Sequence, residues 1–197
     1  IKVAERGQSL ADDVARVAAV RAALPDAQLR VDANMGWSEE DAVRALTTLS
    51  EFELAYAEQP VATVPGLANV RRRLRDAGNK LLIAADESVR KAQDPLAVAR
   101  ADAADLIVVK VAPLGGGRRA LEIVARAGLP AVVSSAIDSS VGIRAGVALA
   151  AALPELPYAC GLGTLSLMTA DVTAEPLRPV DGYLPVRDVA VSEDLLT

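Results

Sequence analysis

Residues 81–110 run LLIAADESVRKAQDPLAVARADAADLIVVK, and they read as strand, helix, strand. The apolar run from Leu81 to Ala85 stops at Asp86. Asp94-Pro95 supplies an N-cap followed by an N1 proline, opening a short helix toward Ala101. The segment from Asp105 to Lys110 is almost wholly apolar until its lysine, as expected of a parallel strand covered on both faces. The same pattern recurs upstream. IKV carries Lys2, LRVDAN carries Asp32 and ELAYAEQP carries Glu58, each a charged group set after β-prone residues where a strand stops. Lys2, Asp32, Glu58, Asp86 and Lys110 follow one another at about 24 to 30 residues, the length of a strand, a helix and two loops. Charges so spaced at strand C-termini are how a (β/α) barrel gathers distant residues around one site.

The intervening segments carry helix signals. Ser9 is a good N-cap, Asp12 and Asp13 suit the dipole of the first turn, and Leu10, Val14, Val17 and Leu24 mark one face before Pro25. Ser38 with Asp41 resembles a capping box for a helix whose buried face carries Val43, Leu46 and Leu49. A helix from about Pro65 to Ala77 is stopped by Gly78, and RRALEIVARA is ended by Gly128. LPAVVSS and YACGLG read as further strands, with an Ala-rich helix after Ser139 between them. About seven strands and six helices result.

A complete eight-stranded barrel takes about 250 residues, so a chain of 197 is expected to lack the start of its barrel. The chain opens on IKV without an initiator Met, and the natural protein is expected to begin upstream. Residues 1–172 are assigned to the barrel, and 173–197 to a C-terminal tail packing on it or toward a missing N-terminal domain. An open doubly wound sheet is the competing arrangement. It would gather ligand groups at one switch point, whereas here nearly every strand ends in a polar residue, which favours the barrel.

Composition narrows the function. The chain is 52% hydrophobic but 3% aromatic, so its core must be built from Ala, Val, Leu and Ile. The net charge of −5 is spread along the chain with no basic stripe, which speaks against a nucleic-acid partner. Arg71-Arg72-Arg73 with Arg75 reads as a solvated helix face. No apolar run approaches the roughly 20 residues of a membrane span and no signal-peptide pattern precedes the first helix, so a cytoplasmic setting away from membranes is expected. Cys160 is the lone cysteine and permits no disulfide within the chain. Histidine is absent, which excludes a Ser-His-Asp triad, a Cys-His pair and His-ligated zinc within this chain. Acid–base chemistry falls to Lys, Asp, Glu or Tyr. Gly115-Gly116-Gly117 has no P-loop around it and reads as a flexible lead into a helix.

Asp32, Glu58 and Asp86 are expected to converge at the mouth of adjacent strands. Three carboxylates do not stay ionised side by side without a cation. Hard oxygen donors with room for water and substrate suggest Mg²⁺, with Mn²⁺ able to substitute. Lys2 and Lys110, on flanking strands, are expected to face one another across that ion. A divalent cation with two lysines suits removal of a proton α to the carboxylate of a small-molecule substrate.

Taken in order, LRVDAN with its following tryptophan (Asp32, Asn34, Trp37), AEQP (Glu58), ADES (Asp86) and VVK (Lys110) resemble successive barrel-strand ends of the enolase superfamily, from the second barrel strand onward. Lys2 is similar to the second lysine of that superfamily's Lys-x-Lys motif. The resemblance implies a TIM-type (β/α)7β barrel, incomplete at its N-terminus where a capping domain and the first barrel strand would stand. Within the superfamily, SSAIDSSVG (Ser134 to Gly142) and CGLGTLSLM (Cys160 to Met168) resemble the o-succinylbenzoate synthases, dehydratases of menaquinone biosynthesis. Dipeptide epimerases usually carry Asp-x-Asp on the last strand, where this chain has Gly161-Leu162-Gly163.

The resemblance implies loss of water from 2-succinyl-6-hydroxy-2,4-cyclohexadiene-1-carboxylate through an enediolate, with Mg²⁺ on Asp32, Glu58 and Asp86. Lys2 would abstract the α-proton and assist departure of the hydroxyl. Lys110 would act as a cation or as a second acid or base, and Ser134 and Gly161 would hold the succinyl carboxylate. N-acylamino acid racemases, dipeptide epimerases and muconate cycloisomerases share the metal ligands and lysines and stay open, as does a non-catalytic barrel fragment.

Overall fold

The computed structural model of the chain describes residues 1–91 and 93–196. Strands and helices alternate along it: α1 (Leu10–Ala23), β1 (Arg30–Asp32), α2 (Glu39–Leu49), β2 (Tyr56–Glu58), α3 (Val64–Asp76), β3 (Ile83–Ala85), α4 (Asp94–Arg100), β4 (Leu106–Val109), α5 (Gly117–Ala127), β5 (Ala131–Val133) and α6 (Ser140–Ala152). The hydrogen-bonded order of the strands is their chain order, β1-β2-β3-β4-β5. A doubly wound sheet reverses its order at a switch point, and none occurs among the described residues.

Two compact units divide the chain: Ile1–Val89 with Asp94–Ile107, and Arg90–Gln93 with Val108–Thr197. In the first unit, β1 and β2 pair in parallel from Arg30↔Tyr56 to Asp32↔Glu58. Strand β2 pairs β3 at Ala57↔Ile83 and Glu58↔Ala84. Strand β3 pairs the first half of β4 at Ala84↔Leu106 and Ala85↔Ile107. Its core is aliphatic around Tyr56: Leu46, Leu49, Leu67, Leu74, Ile83, Leu106 and Ile107 are among the largest fully buried side chains. Burying each such side chain is worth roughly 1.5–3 kcal/mol. The second unit buries Leu114, Ile143, Leu165 and Leu177 in the same way.

Capping follows the sequence. Ser9 closes a full capping box with Asp12 on α1, and the Ser38 hydroxyl accepts the Asp41 N–H at 3.2 Å on α2. Gly128 ends α5 in the left-handed region at φ 67°.

Four readings change. IKV and CGLG are single bridges, Lys2↔Asp32 and Ser134↔Gly161, rather than strands, leaving five strands among the described residues. Ala4 turns to φ 59° and leads the chain off the ladder, and the 3₁₀ turn Thr164–Leu167 does the same after Gly161. On α1, Leu24 is exposed and Asp13 is buried, because the Asp13 carboxylate accepts the Ala4 N–H at 2.9 Å and pairs with Arg16 at 3.0 Å. The buried stripe of α2 is Ala42, Ala45, Leu46 and Leu49, with Val43 only half-buried. The arginine cluster is not a wholly solvated face either. Arg71 is buried, its guanidinium at 2.9 Å from Asp105 and 2.7 Å from Asp102.

The segment after α6 is tied back within the second unit. The Leu177 N–H donates to the Ser140 hydroxyl at 2.7 Å, that hydroxyl donates to Asp171, and Arg144 pairs with Asp188 at 2.6 Å.

Candidate functional site

In the first unit, the register puts the sequence-predicted groups on one face. Lys2 bridges to Asp32, Asp32 is the partner of Glu58, and Glu58 is the partner of Ala84. Asp86 stands two residues beyond Ala84, hence one rung further along the same face. One lysine and three carboxylates, spread over 85 residues of sequence, therefore share one side of one parallel sheet, at the strand ends.

Side-chain bonds then tie the strand ends to one another. The Lys2 ammonium donates to an Asp32 carboxylate oxygen, and to Asn34 Oδ1 at 2.6 Å. The other Asp32 oxygen accepts the Asn34 N–H at 2.9 Å. Asn34 sits at φ 42°, a left-handed conformation that asparagine tolerates. Two residues on, a Cβ at Gly36 would meet the Ala4 carbonyl oxygen at 2.7 Å, so only glycine lets the turn pass under the chain that carries Lys2.

Gln59 and Glu87, the residues that follow two of the strand-end acids, have roles that the strand-end pattern does not mark. Gln59 is fully buried. Its Oε1 accepts the N–H groups of Asp86 (2.9 Å) and Ser88 (3.1 Å), and its Nε2 donates to the Val61 carbonyl and the Ser88 hydroxyl, both at 2.9 Å. Every hydrogen-bonding position of that amide is used, and the loop bearing Asp86 is clamped by the residue beside Glu58. Glu87 Oε1 accepts from Asn34 Nδ2 at 2.9 Å. Its Oε2 is buried without a hydrogen-bond partner. The only hint in the sequence was the polar residue following each of Glu58 and Asp86.

In the second unit, Lys110 is half-buried and directly follows the last residue of β4. Ser134 and Gly161 are brought together as bridge partners, the Ser134 hydroxyl 3.3 Å from the Gly161 carbonyl. A Cβ on Gly161 would come within 2.8 Å of that hydroxyl. Ser135, with its hydroxyl at 2.9 Å, donates to the same carbonyl and lies 2.8 Å from the Thr164 hydroxyl.

The donor set of the first unit suits a hard divalent cation in kind, since carboxylates lie on one face with no histidine in the chain. The side chains are not drawn into a single shell: among the described residues, no three or more His, Cys, Asp or Glu groups are placed to hold a metal ion. At Asp32 one oxygen takes Lys2 and the other the Asn34 N–H.

A family model described as Enolase C-terminal domain-like matches residues 1–190. The chain is 60% identical to an o-succinylbenzoate synthase of Thermobifida fusca over 197 residues, which is all of this chain and 61% of that protein. It is 60% identical over 187 residues to one of Mycolicibacterium smegmatis, covering 94% of this chain and 56% of that protein. The chain thus spans little more than half the length of these curated relatives. Among solved structures, it aligns with a muconate lactonizing enzyme from Pseudomonas fluorescens complexed with muconolactone, with a TM-score of 0.87 and 29% identity over 99% of this chain and 54% of that one. A dipeptide epimerase from Enterococcus faecalis V583 gives a TM-score of 0.79 at 29% identity, over 90% of this chain and 51% of that one. No helix among the described residues is long and apolar enough to cross a membrane.

Proposed function

The chain belongs to the enolase C-terminal domain-like family and has its barrel fold, and on that premise we propose that it forms the catalytic part of an o-succinylbenzoate synthase. The observation that carries the reading is identity to such synthases about twice that to the lactonizing and epimerising enzymes of similar fold. The reaction removes water from 2-succinyl-6-hydroxy-2,4-cyclohexadiene-1-carboxylate. Lys2 takes the ring proton α to the carboxylate, and the electron pair left behind becomes the new ring double bond. The hydroxyl departs with the proton that Lys2 returns, giving water and an aromatic ring.

Lys110 supplies a second cation to steady negative charge on the substrate, or a second acid or base in a relative that racemises. Ser134 and Gly161 take the succinyl carboxylate. Mg²⁺, held by Asp32, Glu58 and Asp86, would supply positive charge to offset that building on the carboxylate being activated.

The test is Mg²⁺-dependent aromatisation, followed by absorbance in the protein as its cell makes it. Lys2→Ala is expected to lower kcat by roughly 10²- to 10⁴-fold, the usual worth of a positioned acid–base group. Observing only epimerisation of dipeptides or racemisation of N-acyl amino acids would sink the synthase assignment.

A further inference from the structure

The Lys2 backbone is fixed by its bridge to Asp32 and by Arg16, which donates to its carbonyl at 2.9 Å. Its side chain, 58% exposed, rests among the described residues on Asp32 and Asn34 alone, and a free lysine carries about 2 kcal/mol of rotamer entropy. A base that must meet one particular proton needs its nitrogen fixed, since misplacement by about 1 Å costs on the order of 100-fold in rate. The geometry points to Glu87, acting through Asn34, as the positioning residue for the Lys2 ammonium, a role that rests on the synthase reading above.

The chemistry of the three partners leaves one consistent arrangement. An ammonium only donates and a carboxylate only accepts, so a neutral group linking them must accept at one end and donate at the other. The amide of Asn34 does so: Oδ1 takes Lys2 at 2.6 Å and Nδ2 gives to Glu87 at 2.9 Å. Its charged neighbours also settle which way the amide is turned. The Asn34 backbone is held independently by the bond from its N–H to Asp32.

Glu87 is anchored in turn. It opens the 3₁₀ turn Glu87–Val89, which Gln59 clamps at the Asp86 and Ser88 N–H groups. The chain of support therefore runs from buried Gln59 through the Glu87 turn to Asn34 and the tip of Lys2. A second observation points the same way. Glu87 Oε2 is buried and unpartnered, which is costly to the fold. A purely structural site gains nothing from that oxygen, whereas the charge it carries strengthens the acceptor facing Asn34.

The experiment compares wild type, Glu87→Ala and Glu87→Gln in the protein as its cell makes it. Glutamine keeps an oxygen to accept from Asn34, and alanine does not. Glu87→Ala is expected to lower kcat by on the order of 10- to 100-fold. KM should stay within about threefold and the melting temperature should not fall, and Glu87→Gln should recover part of the loss, since it restores the acceptor without its charge. In ¹⁵N–¹H spectra, the Asn34 side-chain amide should exchange slowly with solvent in wild type and Glu87→Gln, and quickly in Glu87→Ala. Wild-type turnover in Glu87→Ala, equal impairment of both variants, or loss that merely tracks unfolding would each overturn the proposal. If wild type itself does not aromatise the hydroxy acid, the synthase reading fails, and the Asn34 spectra still decide whether the Glu87 link exists.

Discussion

The two ends of the short strands in the first unit carry the same kinds of charge arranged in opposite ways. At the N-terminal ends, the buried Arg71 guanidinium binds Asp105 through two nitrogens at 3.0 and 2.9 Å, and the Asp102 carbonyl at 2.8 Å. The other Asp105 oxygen accepts the N–H of Ile83, the first residue of β3, at 2.9 Å. Burial works against the charge on Arg71, but Asp105 and Asp102 outweigh it and raise its pKa further. At the C-terminal ends, an exposed lysine rests on one carboxylate oxygen and one amide. The first cluster is closed and saturated with partners, and the second is open on its cationic side. In barrels the N-terminal face serves stability and the C-terminal face serves chemistry, and under the proposed function the difference in closure is the physical form that division takes here.

The largest effect that would break this contrast is on stability. Arg71→Leu removes the forked partner of Asp105, which is 10% exposed and keeps the half-exposed Arg75 and the Ile83 N–H. The loss is expected at about 2–3 kcal/mol, below that of a buried charge left with no partner. Urea denaturation is expected to show that loss, and Arg71→Lys should recover only part of it, because an ammonium cannot reproduce the forked contact. A variant as stable as wild type would mean the N-terminal cluster is not what ties α3 to the strands.

At the opposite end the signature reverses. Mg²⁺ at 100 times its Kd is expected to stabilise the native protein by about 2.7 kcal/mol. Asp86→Asn should abolish that rise while changing the stability without Mg²⁺ far less than Arg71→Leu does. A thermal melt with and without the ion checks both. The absence of any Mg²⁺ effect in wild type would remove the metal from the reading of Asp32, Glu58 and Asp86.

The C-terminal ends were legible because each announces itself by an apolar run that stops at a charge, and a parallel register then needs no further information to align them. The arginine cluster carries two signals that conflict. Arg71 lies four residues after Leu67 and three before Leu74, on the apolar stripe of α3, so helical periodicity marks it as inward-facing. The adjacent Arg72 and Arg73 mask that periodicity with a run of like charge. Asp13, four residues before buried Val17, is the same case on α1. Gln59 had no such signal. Its burial is satisfied by groups up to 29 residues away, and only the tertiary fold brings them to it. The loss of IKV as a full strand also lay beyond local propensity, since it turns on Ala4 adopting a positive φ.

A smaller effect tests a structural carboxylate held mainly by hydrogen bonds, with Arg178 adding a weaker attraction. Asp171 in the second unit accepts the Ser140 N–H at 3.0 Å, the Ser140 hydroxyl and the Val172 N–H at 2.8 Å. Burial would raise its pKa, but the Ser140 bonds lead the opposing influences and hold it below the usual carboxylate range. A carboxyl whose pKa is lower folded than unfolded stabilises the fold fully above its unfolded value of about 3.9, and loses that contribution as pH falls through the folded value. Asp171→Asn should therefore cost on the order of 1–3 kcal/mol at pH 7. That gap should narrow as urea denaturation is repeated below about pH 4. A gap that stays constant with pH would show that Asp171 holds the Ser140 turn by shape rather than charge, and would place it nearer to the neutral clamp of Gln59 than to the ion network of Arg71.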